Sequence, residues 1–191
     1  MRNALKLGLF LFIIAGIAGL AISYVHNLTS PLIEQQMEEN KLNSFQEVYP
    51  GAKEVKDESK QYLNANSDPV LTEVNVVYQD HVPAGVIYIV EPSGYNGKIQ
   101  LLVGFERAEK KITAIKVLRQ SETPGLGSKA TEGFFRDRFQ EKSAENPLEV
   151  VTKETVGEHQ VLAITSATIT SKAVTSGVNA ARQHFLDNFG E

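Results

Sequence analysis

Lys98–Leu118 reads KIQLLVGFERAEKKITAIKVL. Its two ends, IQLLVGF and ITAIKVL, alternate apolar and polar residues. Side chains two apart share one face of a strand, so this alternation predicts two half-buried strands, Lys98–Phe105 and Lys111–Leu118. Between them Glu106–Lys110 is short and charged, which suits a hairpin turn. Upstream, Thr72–Tyr78 and Ala84–Val90 carry the same signature. Successive strands with short connections predict an antiparallel meander. Residues 52–70 are polar and turn-rich and are read as loop.

Downstream, Pro124, Gly125 and Gly127 in SETPGLG demand a loop. Phe134, Phe135 and Phe139 predict a short amphipathic helix, and a strand piece is expected near Val150. At the C-terminus Val174, Val178, Ala181 and Phe185 fall at i, i+4, i+7 and i+11, one face of a helix, with Gly190 as its stop. The fold class is therefore α+β: an antiparallel sheet with flanking helices.

The N-terminal part is of another kind. Leu7–Val25, LGLFLFIIAGIAGLAISYV, holds nineteen residues without a charge. As a helix it is roughly 28 Å long, close to a bilayer's hydrocarbon thickness. A cleaved signal peptide has an apolar core of only about 7–15 residues and a small-residue cleavage site, and Ser23–His26 is a poor one. A transmembrane anchor fits better. Arg2 and Lys6 precede it and the next basic residue is Lys41, so the N-terminus is expected in the cytoplasm and the remainder outside. Residues 1–6 are then a cytoplasmic tip, 7–26 the single transmembrane helix, 27–50 a connecting helix and 51–191 an extracytoplasmic domain. Ser30-Pro31 carries the marks of a helix start, with Ile33, Met37, Phe45 and Val48 near one face and Tyr49-Pro50-Gly51 at its end.

With no cysteine, disulfides and thiolate-held metals or clusters are excluded. A net charge of −4 without a basic aromatic stripe argues against nucleic-acid binding. His26, His81, His159 and His184 are scattered, no metal is expected, and neither a nucleophile elbow nor a phosphate loop is present. No catalytic residue is assigned.

Two segments stand out. Thr165–Ser171, TSATITS, places five hydroxyls in seven residues ahead of the last helix. One hydroxyl suffices for an N-cap. A helix N-terminus also offers free N–H groups and partial positive charge, a seat for a phosphate. The second is Ser121–Gly127, SETPGLG, either a surface turn or a loop whose glycines let backbone approach a planar ligand.

The apolar N-terminus, NLTSPLIEQQ, GYNGKIQLLVGF, ETPGLG and TSATITSKAV together resemble the G subunit of Rnf electron-transport complexes. More distantly they resemble the C subunit of sodium-pumping NADH:quinone reductases. In that family a threonine in an S/T-G-A-T-like motif carries FMN through a phosphoester, attached by a separate flavin transferase that takes FMN from FAD. The resemblance implies Thr168 as the acceptor, with Ser166 and Ala167 in its motif. Thr123 and Leu126 would lie against the flavin, and Tyr95 would contribute. It implies an electron-carrier subunit of an ion-translocating ferredoxin:NAD+ oxidoreductase, partnered by the integral membrane subunits, that binds neither NAD nor ferredoxin itself. Ser166 stands where the family has glycine. If that position takes positive φ, serine costs about 1–2 kcal/mol there. Rival readings are a membrane-tethered binding or sensor domain without redox role, and a structural subunit whose threonines only cap a helix.

Overall fold

The structure, a computed structural model, describes residues 2–153 and 157–190, with the backbone alone for 2–5, 7 and 31–39. The chain divides into two units, 1–43 and 44–191.

Helix α1 runs from Arg2 to Val48. Within it Gly8–Ser30 has a mean hydropathy of 2.3 and is long and apolar enough to cross a membrane. The expected new helix at Ser30-Pro31 is absent: α1 continues through Pro31. Proline lacks an N–H, so it removes a ladder bond from the helix interior without by itself ending the helix. The expected apolar face at Ile33 and Met37 lies outside the described side chains, whereas Phe45 and Val48 are buried.

The second unit is built on a five-stranded antiparallel sheet in the order β1-β2-β3-β4-β5. Its strands are β1 Glu54–Asp57, β2 Leu71–Gln79, β3 Val82–Val90, β4 Gln100–Glu106 and β5 Lys111–Arg119. Four of these match the expected meander. Strand β1 lies in the stretch read as loop: EVKD has no apolar alternation, yet its backbone pairs with β2 from Glu54↔Tyr78 to Asp57↔Asn75. An edge strand so polar forms chiefly because β2 offers it hydrogen bonds, with Val55 its one apolar side chain packed on the core. A single helical turn, α2 at Ser59–Tyr62, connects it to β2.

Both faces of the sheet are covered, so β4, expected to be half-buried, is buried on both sides: neighbouring Leu101 and Leu102 point to opposite faces and both are fully buried. On one face Val86, Tyr88 and Val90 of β3 and Leu101, Val103 and Phe105 of β4 join the larger core. On the other face Ile87, Ile89 and Leu102 meet Phe45, Val48 and Tyr49 at the end of α1. Gly104 makes room there: a Cβ on it would lie 2.7 Å from Val48 Cγ1. Thr113 donates its hydroxyl to the Val48 carbonyl at 2.6 Å, satisfying one carbonyl that the helix end leaves open.

After β5 the chain forms a 3-10 turn at Gly127–Thr131 and the short helix α3 at Gly133–Arg136. Phe135 and Phe139 are buried while Phe134 is half exposed. Strands β6, Glu149–Val151, and β7, Gln160–Leu162, pair in parallel. The C-terminal helix α4, Thr168–Phe189, then packs on the larger core through Val174, Val178, Ala181 and Phe185. The Phe185 ring stacks on Phe105 with centroids 4.9 Å apart. Truncating such a buried phenylalanine to alanine costs about 3–5 kcal/mol.

Candidate functional site

Thr123-Pro124-Gly125-Leu126 turns the chain sharply after β5. The Leu126 N–H donates to the Thr123 carbonyl at 3.1 Å, and Gly125 has φ +74°. Proline before a positive-φ glycine is the pattern of a type II turn. This brings Glu122 inward, where it is 5% exposed.

The Glu122 carboxylate joins three segments. Its Oε1 accepts the backbone N–H groups of Tyr95 at 2.9 Å and Asn96 at 3.0 Å. Its Oε2 accepts the Thr170 hydroxyl at 2.5 Å. The turn leading into β4, the loop after β5 and the first turn of α4 are thus tied to one side chain. The space is tight: a Cβ on Gly127 would lie 2.6 Å from both Glu122 Oε2 and Thr170 Oγ1. Sequence reasoning missed Glu122 and Thr170. The available signal was a carboxylate inside a glycine-rich loop whose neighbours were already singled out.

The start of α4 differs from the capping expectation. Ala167 is the N-cap residue and no side chain caps it; Thr168 is the first helical residue. The hydroxyls are distributed otherwise. Ser171 Oγ accepts the Ile164 N–H at 2.9 Å and donates to the Ala167 carbonyl at 3.0 Å. Thr170 is spent on Glu122. Thr165 and Ser166 are exposed. Ser166 has φ +64°, the condition under which a serine there is strained. Thr168 is partly buried, and among the described residues none hydrogen-bonds its hydroxyl.

Two clefts meet at Thr168. The first, about 520 Å³, is lined by Tyr95, Glu122, Thr123, Leu126, Ser166 and Ala167 together with Thr168–Thr170. All six residues named from the sequence share it: Tyr95, Thr123, Leu126, Ser166, Ala167 and Thr168. Its rim is apolar, with Tyr95, Leu126 and Ile169 exposed by 66%, 41% and 56%. The second cleft, about 440 Å³, is lined by Lys129, Phe134, Arg138 and the Leu162–Ser166 segment, and again by Thr168. Arg138 Nη1 donates to the Leu162 carbonyl, and the guanidinium lies 5.2 Å from the Phe134 ring centroid. Among the described residues no group of three or more His, Cys, Asp or Glu is placed to hold a metal. His184 instead bridges the Tyr88 hydroxyl, 3.0 Å from its Nδ1, and the Tyr62 carbonyl, 3.1 Å from its Nε2.

The arrangement provides a hydroxyl at a helix start with no hydrogen-bond partner among the described residues, a hollow with an apolar rim, and cations nearby. That chemistry fits a flavin phosphate.

Comparison with known proteins supports FMN as the ligand. Residues 94–183 match the FMN-binding domain family, and residues 1–48 match the RnfG N-terminal region. The chain is 39% identical over 189 residues to the G subunit of the Na(+)-translocating ferredoxin:NAD(+) oxidoreductase complex of Acetobacterium woodii, covering 93% of this chain and 89% of that one. It is 31% identical over 168 residues to the G subunit of the proton-translocating ferredoxin:NAD(+) oxidoreductase complex of Clostridium ljungdahlii, covering 86% and 82%. Its fold is similar to that of the C subunit of the Na(+)-translocating NADH-quinone reductase from Parabacteroides distasonis, with a TM-score of 0.57 and 21% identity over 73% of this chain and 79% of that one.

Proposed function

The chain belongs to the family of G subunits of ion-translocating oxidoreductase (Rnf) complexes, and on that footing we propose that it carries electrons on an FMN esterified to Thr168. The observation that carries the reading is the state of the Thr168 hydroxyl. Thr170 and Ser171 are buried and hydrogen-bonded, while Thr168 has no side-chain partner among the described residues and lines both clefts. Thr165 and Ser166 are likewise unbonded among the described residues, so three hydroxyls can be reached by an external flavin transferase without breaking the fold; of these, Thr168 is the one that the order of the motif and its place as first helical residue favour.

When bound, FMN supplies one- and two-electron redox chemistry. The protein supplies position and electrostatics. Thr168 fixes the phosphate end at the start of α4, whose partial positive charge favours an anion. Leu126, Tyr95 and Ile169 offer apolar surface to the ring, and the Pro124-Gly125 turn sets the wall of the cleft. In loading, Thr168 would supply the oxygen that takes the FMN phosphoryl group from FAD, with AMP as leaving group and the hydroxyl proton passing to the transferase.

Gly8–Ser30 anchors the chain in the membrane. Arg2 and Lys6 lie just before it and the next basic residue is Lys41, a bias that favours a cytoplasmic N-terminus with the FMN-binding unit outside. The other subunits of the complex are the electron partners, and Gly16 and Gly19 offer a close-packing surface to their membrane helices.

The test is direct. Full-length protein made with an active transferase is expected to give a fluorescent band on a denaturing gel, with the FMN mass on the peptide containing Thr168. Thr168→Val is expected to remove both. A dark parent band, with the transferase confirmed active, would leave the tethered sensor domain and the structural subunit as the surviving readings. Fluorescence persisting in the variant would move the attachment elsewhere.

A further inference from the structure

We propose that Lys129 and Arg138 hold the phosphodiester of the Thr168 linkage, so that the two clefts meeting there take different parts of one ligand. The phosphoryl group belongs in the cleft of Lys129, Arg138 and Phe134, and the planar ring in the cleft of Tyr95, Leu126 and Ile169. This inference rests on the flavin reading above.

The two clefts differ in charge. The first contains the buried carboxylate of Glu122, which repels a phosphodiester anion. The second is lined by two cations and by no carboxylate among the described residues. Neither Lys129 nor Arg138 has a carboxylate partner among them. Arg138 is held in place from two sides. Nη1 is committed to the Leu162 carbonyl, and the guanidinium lies near the rings of Phe134 and Phe135, at 5.2 and 5.7 Å from their centroids. An arginine so fixed presents a planar set of donors suited to phosphate oxygens. Burial pushes the Arg138 guanidinium below its ordinary pKa, a cost that a neighbouring anion offsets. Thr168, the covalent anchor, lies on the wall common to both clefts.

The experiment uses the full-length flavinylated protein in detergent and ³¹P NMR of its phosphodiester, with the methyl phosphodiester of FMN as reference. The parent line is expected away from the reference position and shifted toward it by raised salt. In Lys129→Gln the line is expected to move toward the reference. Arg138→Gln should move it too, and Arg138→Lys, which keeps the charge but not the planar donors, should restore only part of that change. Flavin fluorescence anisotropy should fall in the two glutamine variants as the tether loosens. Arg138→Gln also removes the bond to Leu162. Should its melting curve show misfolding, Lys129→Gln decides, since no side-chain bond of Lys129 is lost among the described residues. A flavinylated parent whose line coincides with the reference, or a line unmoved in Lys129→Gln, overturns the inference while leaving Thr168 as acceptor. A parent without FMN mass overturns the flavin reading itself.

Discussion

Thr170, in the first turn of α4, donates its hydroxyl to Glu122 Oε2 at 2.5 Å across forty-eight residues of chain. The same carboxylate accepts two backbone N–H groups from the turn at Tyr95 and Asn96. One buried side chain therefore sets the spacing between the helix that carries Thr168 and the loop that faces it.

Removing that carboxylate should loosen the cleft. Glu122→Ala leaves two N–H groups and one hydroxyl without their acceptor, and we expect a loss of about 2 kcal/mol in thermal or urea unfolding, with reduced flavin loading. Glu122→Gln keeps an acceptor for the N–H groups and offers an amide to the Thr170 oxygen. Its loss should stay below about 1 kcal/mol. Equal losses in the two variants would show that charge, not hydrogen bonding, holds the clasp.

The same contact makes Gly127 intolerant of a side chain. A Cβ there meets Glu122 Oε2 and Thr170 Oγ1 at 2.6 Å, so one of them must move. Gly127→Ala should destabilise by about 1–3 kcal/mol and lower the flavin fluorescence per molecule. A variant as stable and as fluorescent as the parent would contradict this packing.

Ser166 predicts the opposite sign. Its φ of +64° strains a residue with a Cβ, and glycine relieves that strain. Glycine also loosens the unfolded chain, which offsets part of the gain. Ser166→Gly should stabilise by roughly 0.5–1 kcal/mol, a rise in Tm of about 2 °C. Calorimetry of the purified protein gives the answer, and a lower Tm would refute the strain.

Glu47 links the end of α1 to β5 and α3. Its carboxylate lies 2.5 Å from Lys116 Nζ and 2.8 Å from Arg136 Nη1. The Lys116 hydrogen bond, then that of Arg136, holds it below its ordinary value of 4.5. A depressed carboxylate stabilises the fold above its unfolded pKa, and the contribution is lost as pH falls through the folded one. The side chain is 47% exposed, so solvent screening limits the effect to less than about 1 kcal/mol. Parent and Glu47→Gln should differ by about 2 °C in Tm at neutral pH. The gap should narrow below pH 4.5 and close in stronger acid. A gap that widens on acidification would reverse the assignment.

Much of the scaffold was legible along the chain. Strands β2 to β5 follow from alternating side chains, and the buried face of α4 from residues three and four apart, because each pattern is local and needs only a neighbour to cover it. The six residues assigned to the cleft were found through a family likeness, which drew on motif order and not on geometry. Strand β1 escaped because its pairing depends on backbone groups of β2. The continuity of α1 through Pro31 escaped because proline weakens a helix without dictating where the chain must break.

The sequence by itself determined an apolar N-terminal helix, a meander of strands and a last helix with one apolar face, since hydrophobic periodicity acts within single elements. Only the tertiary structure decided which hydroxyls were engaged and which stayed free. Glu122, Gly127 and Thr170 come together through long-range packing, Ala167 displaces the expected hydroxyl cap, and Thr168 is left between an acidic cleft and a cationic one. Hydrogen-bond partners and local charge depend on which distant segments pack together, and no spacing along the chain encodes that.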